Sequence, residues 1–318
     1  MGWTPLYRVF AMGADRALRE ISMHTEVVTV GLDLAKHIFQ AHGADRTGKV
    51  IFRRRVRRSE LLGFFSKLPS CTVAMEACGG AHHWARQMQD LGHTVRLIAP
   101  VYVKPFVKRQ KNDAADAEAI CEAAQRPTMR FVPVKSKAAQ ASAMVFRTRD
   151  LLVRQRTQLI NAVRGHLTEF GIVAAKGTAR IDNLVARLES SDHDLPPDAR
   201  ACLRVLAGQI KMLDDQIAGL NTEIEALVAA DETAERLRSI PGVGTLTAAA
   251  IVALAPAAGT FRSGRDFAAW VGLTPIQKSS GGKERIGRTS RMGERTIRRL
   301  LIIGASAVAR WASQRGVD

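Results

Sequence analysis

Cysteine is scarce in this sequence, and its scarcity excludes a secreted scaffold held together by disulfides. The chain has 318 residues and only four cysteines, none in the CxxC spacing of zinc or redox sites. We therefore expect reduced thiols with structural roles at Cys71, Cys78, Cys121 and Cys202.

Long apolar runs are also missing. No stretch of about 20 residues is apolar without helix breakers, which excludes a transmembrane helix, and no lipidation signal is evident. Residues 1–24 lack the apolar segment and small-residue cleavage site of a signal peptide. We interpret them as an N-terminal extension, with Met23 as an alternative start, and predict a cytoplasmic protein with no membrane partner.

Acidic residues are too few to balance the basic ones. The chain has 30 Asp and Glu against 47 Lys and Arg, a formal net charge of +17. This charge attracts polyanions and makes any affinity for nucleic acid strongly dependent on salt. Nucleic acid is therefore the leading partner class. The 46% hydrophobic content is typical of a globular chain, and the length suffices for two or three domains.

The first part of the chain, residues 25–135, has the pattern of a mixed α/β domain. Residues 27–43 and 49–56 are β-branched and alternating, which predicts two or three adjacent antiparallel strands. Short apolar strands at 71–77 and 94–100 then alternate with helical segments. A mixed sheet flanked by helices is the expected architecture.

From about residue 136 to 232 the pattern changes to long helices, the second predicted domain. Apolar residues recur at alternating spacings of three and four, as in a heptad seam, at Leu203, Leu206, Ile210, Leu213, Ile217, Leu220, Ile224 and Leu227. An earlier helix carries Leu151, Leu152, Leu159, Ile160, Val163 and Leu167. An intramolecular helical hairpin and an intermolecular coiled coil both fit this pattern.

Residues 233–318 turn to Gly, Ala and Arg and predict a compact helical domain with a glycine-rich basic loop. IPGVG at 240–244 is typical of a helix-hairpin-helix, in which glycines let backbone amides approach a phosphate. An ordinary tight turn matches the same short motif. The basic context favours contact of Gly242 and Gly244 with a DNA backbone.

Four acids form the main candidate catalytic group. Asp33 and Glu76 each follow an apolar strand, where an ionised carboxylate is costly without a cation. Asp113 and Asp116 lie three apart in a predicted helix and share a face. Such a set can hold a pair of Mg²⁺ ions about 4 Å apart for phosphodiester chemistry. A solvated helix face is the structural alternative.

Basic side chains around these acids are candidate contacts for nucleic acid. Five arginines between residues 53 and 58 form one dense cluster, and the loop at 277–299 has eight Lys or Arg. Ser279 and Ser280 in that loop can act as a nucleophile toward phosphorus or only bind phosphate. The predicted basic contacts are Arg53, Arg54, Arg55, Arg57, Arg58, Lys108, Lys111, Lys278, Lys283, Arg285 and Arg288.

With the four acids on one side and IPGVG, FAAWVGLTP and KSSGGKERIGR on the other, the sequence resembles the DEDD transposases of the IS110 insertion-sequence family. The resemblance covers about residues 27 to 310. It implies a ribonuclease H-like domain similar to RuvC resolvase, a helical coiled-coil linker and a C-terminal transposase domain with a helix-hairpin-helix.

The same resemblance implies a mechanism and partners. The metal ligands for Mg²⁺, expected as two ions, would be Asp33, Glu76, Asp113 and Asp116, and the nucleophile Ser280, with Ser279 as the fallback. A structured guide RNA would pair with donor and target DNA, and strand exchange would need a homodimer or tetramer in a bacterial or archaeal cell, associated with the nucleoid. The resemblance also implies a shortened copy, because the family's C-terminal helical extension is missing after Asp318.

Two other function classes remain open on the sequence. A RuvC-like, structure-selective nuclease would use the acids alone, with Ser280 only binding phosphate. A non-catalytic nucleic-acid-binding protein would have structural acids and no dependence on Mg²⁺.

Overall fold

The computed structural model describes residues 27–108, 113–173 and 195–315. The predicted extension at 1–24 and the predicted basic contact Lys111 lie outside the described residues. The chain divides into two compact units after Ser136. Each unit is described below by itself.

The first unit is built on a six-stranded mixed sheet, which confirms the predicted α/β architecture. The strand order is β3-β2-β1-β4-β5-β6. Strands β1, β4 and β5 are parallel, and β2, β3 and β6 run antiparallel to their neighbours. The strands are β1 Thr29–Asp33, β2 Ile38–Ala44, β3 Val50–Arg57, β4 Thr72–Glu76, β5 Thr94–Ile98 and β6 Phe131–Val132.

Helices cover both faces of this sheet. The described helices are α1 Leu61–Phe65, α2 Ala81–Asp90, α3 Pro100–Val103 and α4 Asp113–Ala124. Because side chains alternate along a strand, Val73 and Met75 pack in the core that includes α1 and α2, whereas Ala74 packs with α4. Asp33 and Glu76 end β1 and β4, which are parallel neighbours, so both acids lie at one edge of the sheet.

Helix α4 lies against β1 at Gly31. A Cβ on Gly31 would approach the Ala117 carbonyl oxygen to 2.2 Å and the Cys121 backbone nitrogen to 2.6 Å. These are backbone atoms of α4, which cannot move aside as a flexible side chain can. Glycine at this position therefore lets the helix pack directly on the strand, two residues before Asp33.

The second unit begins with two long antiparallel helices, α5 Lys137–Glu169 and α6 Pro197–Ala229. The Arg149 Nε donates a hydrogen bond to the Asn221 Oδ1 at 2.7 Å, and Arg156 forms an ion pair with Asp214. Arg156 follows Arg149 in α5, whereas its partner Asp214 precedes Asn221 in α6. This reversed order shows that the two helices are antiparallel. An intramolecular helical hairpin, one of the two predicted alternatives, is therefore present; an intermolecular coiled coil stays a prediction.

Most of the predicted heptad seam is buried in this helical pair. Leu203, Ile210, Leu213, Ile217 and Ile224 are buried, and Leu206 and Leu220 are half-buried. Leu227 is exposed, contrary to its assignment to the seam, and Leu151 of the earlier helix is exposed too.

The rest of the second unit is small and mostly helical. It contains α7 Glu232–Arg238, α8 Thr245–Leu254, α9 Gly264–Val271, the strand pair β7 Pro275–Gln277 and β8 Ile286–Thr289, and α10 Arg295–Arg315. The first part of the predicted basic loop is thus a β-hairpin. Phe146 of α5 and Ile224 of α6 pack in the same core as Ala248 and Ile297, so residues on both sides of the predicted boundary at 232 share one core.

The cysteines are free thiols, but only two fit a structural role. Cys71 and Cys121 are buried, and burial raises the pKa of each thiol to about 11. Cys78 and Cys202 are exposed, so the structural interpretation does not hold for that pair. Among the described helices, none combines the length and apolar character needed to cross a membrane.

We expect Gly31→Ala to lower the free energy of unfolding by about 2–3 kcal/mol, because the added methyl group must displace the backbone of α4. Gly219→Ala is the matched control, since Gly219 is exposed within α6 and a Cβ there meets no atom within 4 Å. It should stabilise the protein by up to about 1 kcal/mol through helix propensity. Urea unfolding of both variants checks this; equal stability of Gly31→Ala and wild type would contradict the close packing of α4 on β1.

Candidate active site

The structure brings three of the four predicted acids together. Asp33 lies at the end of β1, and Asp113 and Asp116 lie in the first turn of α4. Carboxylate oxygens of these three residues are all within 4.8 Å of one another. The contact of α4 with β1 at Gly31 places the start of the helix beside the end of the strand, and the i, i+3 spacing turns both helix acids to that place.

Glu76 lies outside this group of three but belongs to the same electrostatic site. Burial first, and then the negative charge of Asp116, raise the pKa of the Glu76 carboxyl. Glu76 comes from the adjacent parallel strand, one position beyond the last Cα pair, Leu32 with Met75. The four acids predicted as one ligand set are thus a compact trio with Glu76 as its neighbour.

Burial and the neighbouring acids act together on the Asp33 carboxyl. Burial is the largest cause that raises its pKa, to about 6, followed by the charges of Asp116, Asp113 and Glu76. A hydrogen bond from the Leu34 backbone acts in the opposite direction. Like charges held this close disfavour ionisation unless a cation joins them.

The donor set fits a divalent cation. Within residues 27–108 and 113–136, no basic side chain forms an ion pair with Asp33, Asp113 or Asp116. Mg²⁺ prefers carboxylate oxygen ligands and usually binds through one or two carboxylates plus water and substrate phosphate. An acidic cluster able to accept such an ion is therefore present.

The predicted arginine cluster is divided between the two faces of the sheet. Asp33 pairs with Gln40 in β2, and Gln40 pairs with Arg55 in β3, so Arg55 lies on the face of the acids. Arg53 and Arg57 share that face by the alternation of the strand. Arg54 lies on the opposite face, where its paired residue, Ala41, is buried.

Arg58 also leaves the acid face. Its guanidinium lies 5.6 Å from the ring centre of Phe39 and 5.1 Å from that of Trp84, which are on the side of α2. Arg58 thus packs on aromatic rings, so the five arginines do not form the single surface that the sequence suggested. The period-two alternation of a strand is the signal that separates Arg54 from its neighbours.

Two polar residues outside the predicted site residues also lie on the acid face. His42 pairs with Gly31 on one side and Arg53 on the other, and it is buried. Burial is the largest cause that lowers its pKa. Glu118 of α4 forms ion pairs with Arg53 and Lys108. No sequence motif marks either residue, since both depend on how α4 lies on the sheet.

In the second unit, Ser280 lies at the tip of the β7–β8 hairpin. Its backbone N–H donates to the Lys283 carbonyl at 3.3 Å, and the Lys283 N–H donates to the Ser280 carbonyl at 3.1 Å. The two residues between them, Gly281 and Gly282, have φ of 56° and 75°, which favour glycine. The tip is a tight two-residue turn with Ser280 exposed at its start.

Ser279 and Ser280 differ in their contacts. The Ser279 Oγ accepts hydrogen bonds from the Arg285 backbone N–H at 3.1 Å and from the Gln277 Nε2 at 3.3 Å. Its hydroxyl thus helps to hold the hairpin. The exposed basic side chains on this hairpin are Lys278, Lys283, Arg285 and Arg288.

The IPGVG motif connects α7 to α8, and its two glycines lie in different surroundings. Gly242 has φ of 84°, and a Cβ there would come within 2.9 Å of the Gly304 carbonyl oxygen in α10. Gly242 therefore serves packing within the unit. Gly244 precedes α8, its carbonyl accepts from the Thr247 and Ala248 amides, and a Cβ there meets no atom within 4 Å.

Comparison with known proteins gives consistent matches. The family model described as "Transposase IS116/IS110/IS902 family" matches residues 234–316, and a DEDD transposase model of the IS110 type matches residues 30–172. A "Probable family 20 transposase" of Pseudomonas aeruginosa is 49% identical over 288 residues, which cover 90% of this chain and 85% of that protein.

Two further relatives carry the names of insertion sequences. The transposase for insertion sequence element IS1328 of Yersinia enterocolitica is 42% identical, over 87% of this chain and 82% of its own length. The transposase for element IS1111A of Coxiella burnetii is 41% identical, over 90% of this chain and 79% of its own length.

We expect metal-free stability to reveal the cost of ionising Asp33, which is partly buried and lies beside other acids. The folded-state pKa, about 6, is above the ordinary value of 3.8, so the folded protein holds more protons between these values and its stability falls as pH rises through them. Asp33→Asn should therefore be more stable than wild type above pH 7, by about 1–2 kcal/mol after allowing for solvent screening. This advantage should vanish below pH 4.

Urea unfolding in EDTA at pH 4 and 7.5 measures the difference. Asp90→Asn is the control, because Asp90 is an exposed carboxylate at the end of α2. Lower stability of Asp33→Asn than of wild type at pH 7.5 would contradict this cost of ionising Asp33.

Proposed function

The chain belongs to the IS116/IS110/IS902 family of insertion-sequence transposases, and we propose from that premise that it excises and inserts DNA with metal-binding acids and a serine nucleophile. A transposase is a DNA recombinase, which accounts for the net charge of +17. The observation that carries the proposal is the convergence of Asp33, Asp113 and Asp116 within 4.8 Å at the end of β1.

In this proposal the trio and Glu76 hold Mg²⁺, with two ions expected. The bound metal would neutralise charge on the scissile phosphate and favour ionisation of an attacking hydroxyl. The raised pKa of Asp33 and Glu76 supports a cation site, because an opposite charge there relieves the repulsion that now opposes their ionisation. Asp116 would be a further ligand, and its charge contributes, after burial, to the raised pKa of both Asp33 and Glu76.

Ser280 is the proposed nucleophile. Its hydroxyl oxygen would form a bond to phosphorus and lose its proton, and the bond from phosphorus to a deoxyribose oxygen would break and leave a DNA hydroxyl. A hydroxyl of a second strand would then attack the phosphoserine and release Ser280. Lys283 and Arg285 on the same hairpin would stabilise the charge that develops on the phosphate.

The contacts of the two serines support Ser280 over Ser279. The Ser279 hydroxyl accepts two hydrogen bonds within the hairpin, which lower its availability as a nucleophile. Ser280 is exposed at the tip, where Gly281 and Gly282 carry no side chains that would block a close approach of DNA. A glycine-rich turn of this kind admits a phosphate that a bulkier turn would exclude.

Nucleic acid would contact both units. On the acid face, Arg53, Arg55 and Arg57 form a basic edge strand that is separated from the strand of Asp33 by β2. In the second unit, the basic hairpin and the helix-hairpin-helix at Gly242 and Gly244 would bind DNA phosphates, Gly244 through the amides at the start of α8. A structured guide RNA that pairs with donor and target DNA, and a dimer or tetramer that holds two active centres, complete the proposal.

Magnesium should stabilise wild type through the acid cluster. We expect 10 mM Mg²⁺ to raise Tm by about 3 °C at pH 7.5, because an ion that binds only the folded state stabilises it. Asp116→Asn should lose this increase, whereas Asp90→Asn should keep it. Differential scanning fluorimetry with and without EDTA checks the result; an equal increase in Asp116→Asn would place the ion elsewhere.

Ser280→Ala should abolish a covalent link between protein and DNA. Wild type incubated with Mg²⁺, its co-purified RNA and a labelled four-way DNA junction should give a labelled protein band in denaturing electrophoresis. Ser279→Ala should keep this band at a reduced level, because it removes only hydrogen bonds that hold the hairpin. Asp116→Asn should give no band.

Cut DNA without a protein-linked band, unchanged in Ser280→Ala, would show a RuvC-like metal nuclease instead. A protein that binds the junction but never cuts it, with or without Mg²⁺, would favour the non-catalytic class.

A further inference from the structure

Glu118 of α4 is bound by two cations from different parts of the first unit. The Arg53 Nη2 in β3 donates a hydrogen bond to its Oε2 at 3.2 Å. The Lys108 Nζ forms an ion pair with its Oε1. Each carboxylate oxygen therefore holds one cation, and the edge strand β3 is tied to the chain that precedes Asp113.

The helix separates Glu118 from the acid cluster. At about 100° per residue, Glu118 lies about 200° around α4 from Asp116. Asp116 acts on Glu76 at the β4 side, whereas Glu118 reaches Arg53 at the β3 side. The carboxylates of one helix thus have two environments, one made of other acids and one made of cations.

The buried side chain of His42 lies on the sheet side of Glu118 and its two cations. It is 4% exposed, it pairs with Arg53 across β2 and β3, and its Nδ1 is buried with no hydrogen-bond partner among the described residues. The charges of Glu118, Arg53 and Lys108 all act on it. Because the buried His42 occupies the sheet side, Arg53 and Lys108 can bind a further group only from the solvent side.

These ion pairs are too exposed to be explained by stability alone. The side chains of Arg53 and Lys108 are 59% and 75% exposed, and ion pairs at such positions contribute little to folding. Glu118 itself is 25% exposed, and a hydrogen bond from Lys108 is the largest cause that lowers its pKa, so it stays ionised. Two cations against one carboxylate leave a net positive charge with free N–H groups toward solvent.

We infer that Glu118 is a positioning residue, which holds Arg53 and Lys108 in place to bind one backbone phosphate of the DNA strand next to the phosphate at the acids. The inference rests on the proposed function. Strands β1 and β3 are two strand spacings apart, about 10 Å, so the two sites serve different phosphates. Holding two long side chains in one geometry before binding places the strand for the reaction at the acids.

The first test separates positioning from charge. With Mg²⁺, co-purified RNA and the labelled four-way junction, Glu118→Gln should lower the single-turnover rate at saturating protein about 10-fold. The protein concentration for half-maximal junction binding should change less than about threefold. Glu122→Gln is the matched control, because Glu122 is an exposed acid of the same helix paired with Arg126, and it should change neither quantity more than about twofold.

Combined variants test whether Glu118 acts through the two cations. Adding Glu118→Gln to the Arg53→Gln, Lys108→Gln double variant should slow the reaction no more than about twofold, because Glu118 then has neither cation to hold. The inference would be overturned if the rate effect of Glu118→Gln multiplied with that of the cation substitutions, or if Glu118→Gln reacted as fast as wild type. It would also be overturned if urea unfolding showed a loss of folded protein large enough to explain the lower rate.

A metal-free binding arm keeps this test independent of catalysis. In titrations of the junction at increasing salt, Arg53→Gln and Lys108→Gln should each reduce the slope of log affinity against log salt by about 1. If wild type gives no product with Mg²⁺, the proposed function fails. The slopes would still test whether Arg53 and Lys108 contact phosphate. Unchanged slopes in both variants would show that neither cation contacts phosphate and would overturn the phosphate site.

Discussion

The contact between the α4 backbone and Gly31 is the constraint on which the candidate site depends. A side chain at Gly31 would collide with the Ala117 carbonyl, so only glycine allows the helix to lie directly on β1. The first turn of α4 then begins where β1 ends. That placement brings Asp113 and Asp116 to Asp33, and it also sets which residues of β2 and β3 the other side of the helix can reach.

The same placement resolves the contrast between a basic chain and its acidic cluster. The acid cluster and the cations lie on opposite sides of α4. Asp116 faces Glu76, whereas Glu118 faces Arg53. Burial first, and then repulsion from the other acids, raises the pKa of Asp33 to about 6, and among the described residues no basic side chain forms an ion pair with it. The cations beside Glu118 instead remain open to an anion.

In the second unit, glycine has two distinct physical roles. At Gly242 it allows a positive φ and a backbone contact with Gly304 of α10, which joins the IPGVG turn to the last helix. At Gly281 and Gly282 there are no close neighbours, so the requirement is the left-handed backbone of the hairpin tip alone. Space near the backbone, the reason expected from the sequence, therefore fits the serine turn better than it fits Gly242.

Local patterns in the sequence determined the mixed sheet, the long helices, the strand ends at Asp33 and Glu76, and the shared face of Asp113 and Asp116. Those features depend on periods of 2 and 3.6 residues and on residues close in the chain. The tertiary structure alone decided that Glu76 lies beside the acid trio, that Arg58 packs on Phe39 and Trp84, and that Glu118 holds two cations. Each of these depends on how a helix lies on a sheet, and the atoms that fix that contact, at Gly31 and Ala117, are 86 positions apart in the sequence.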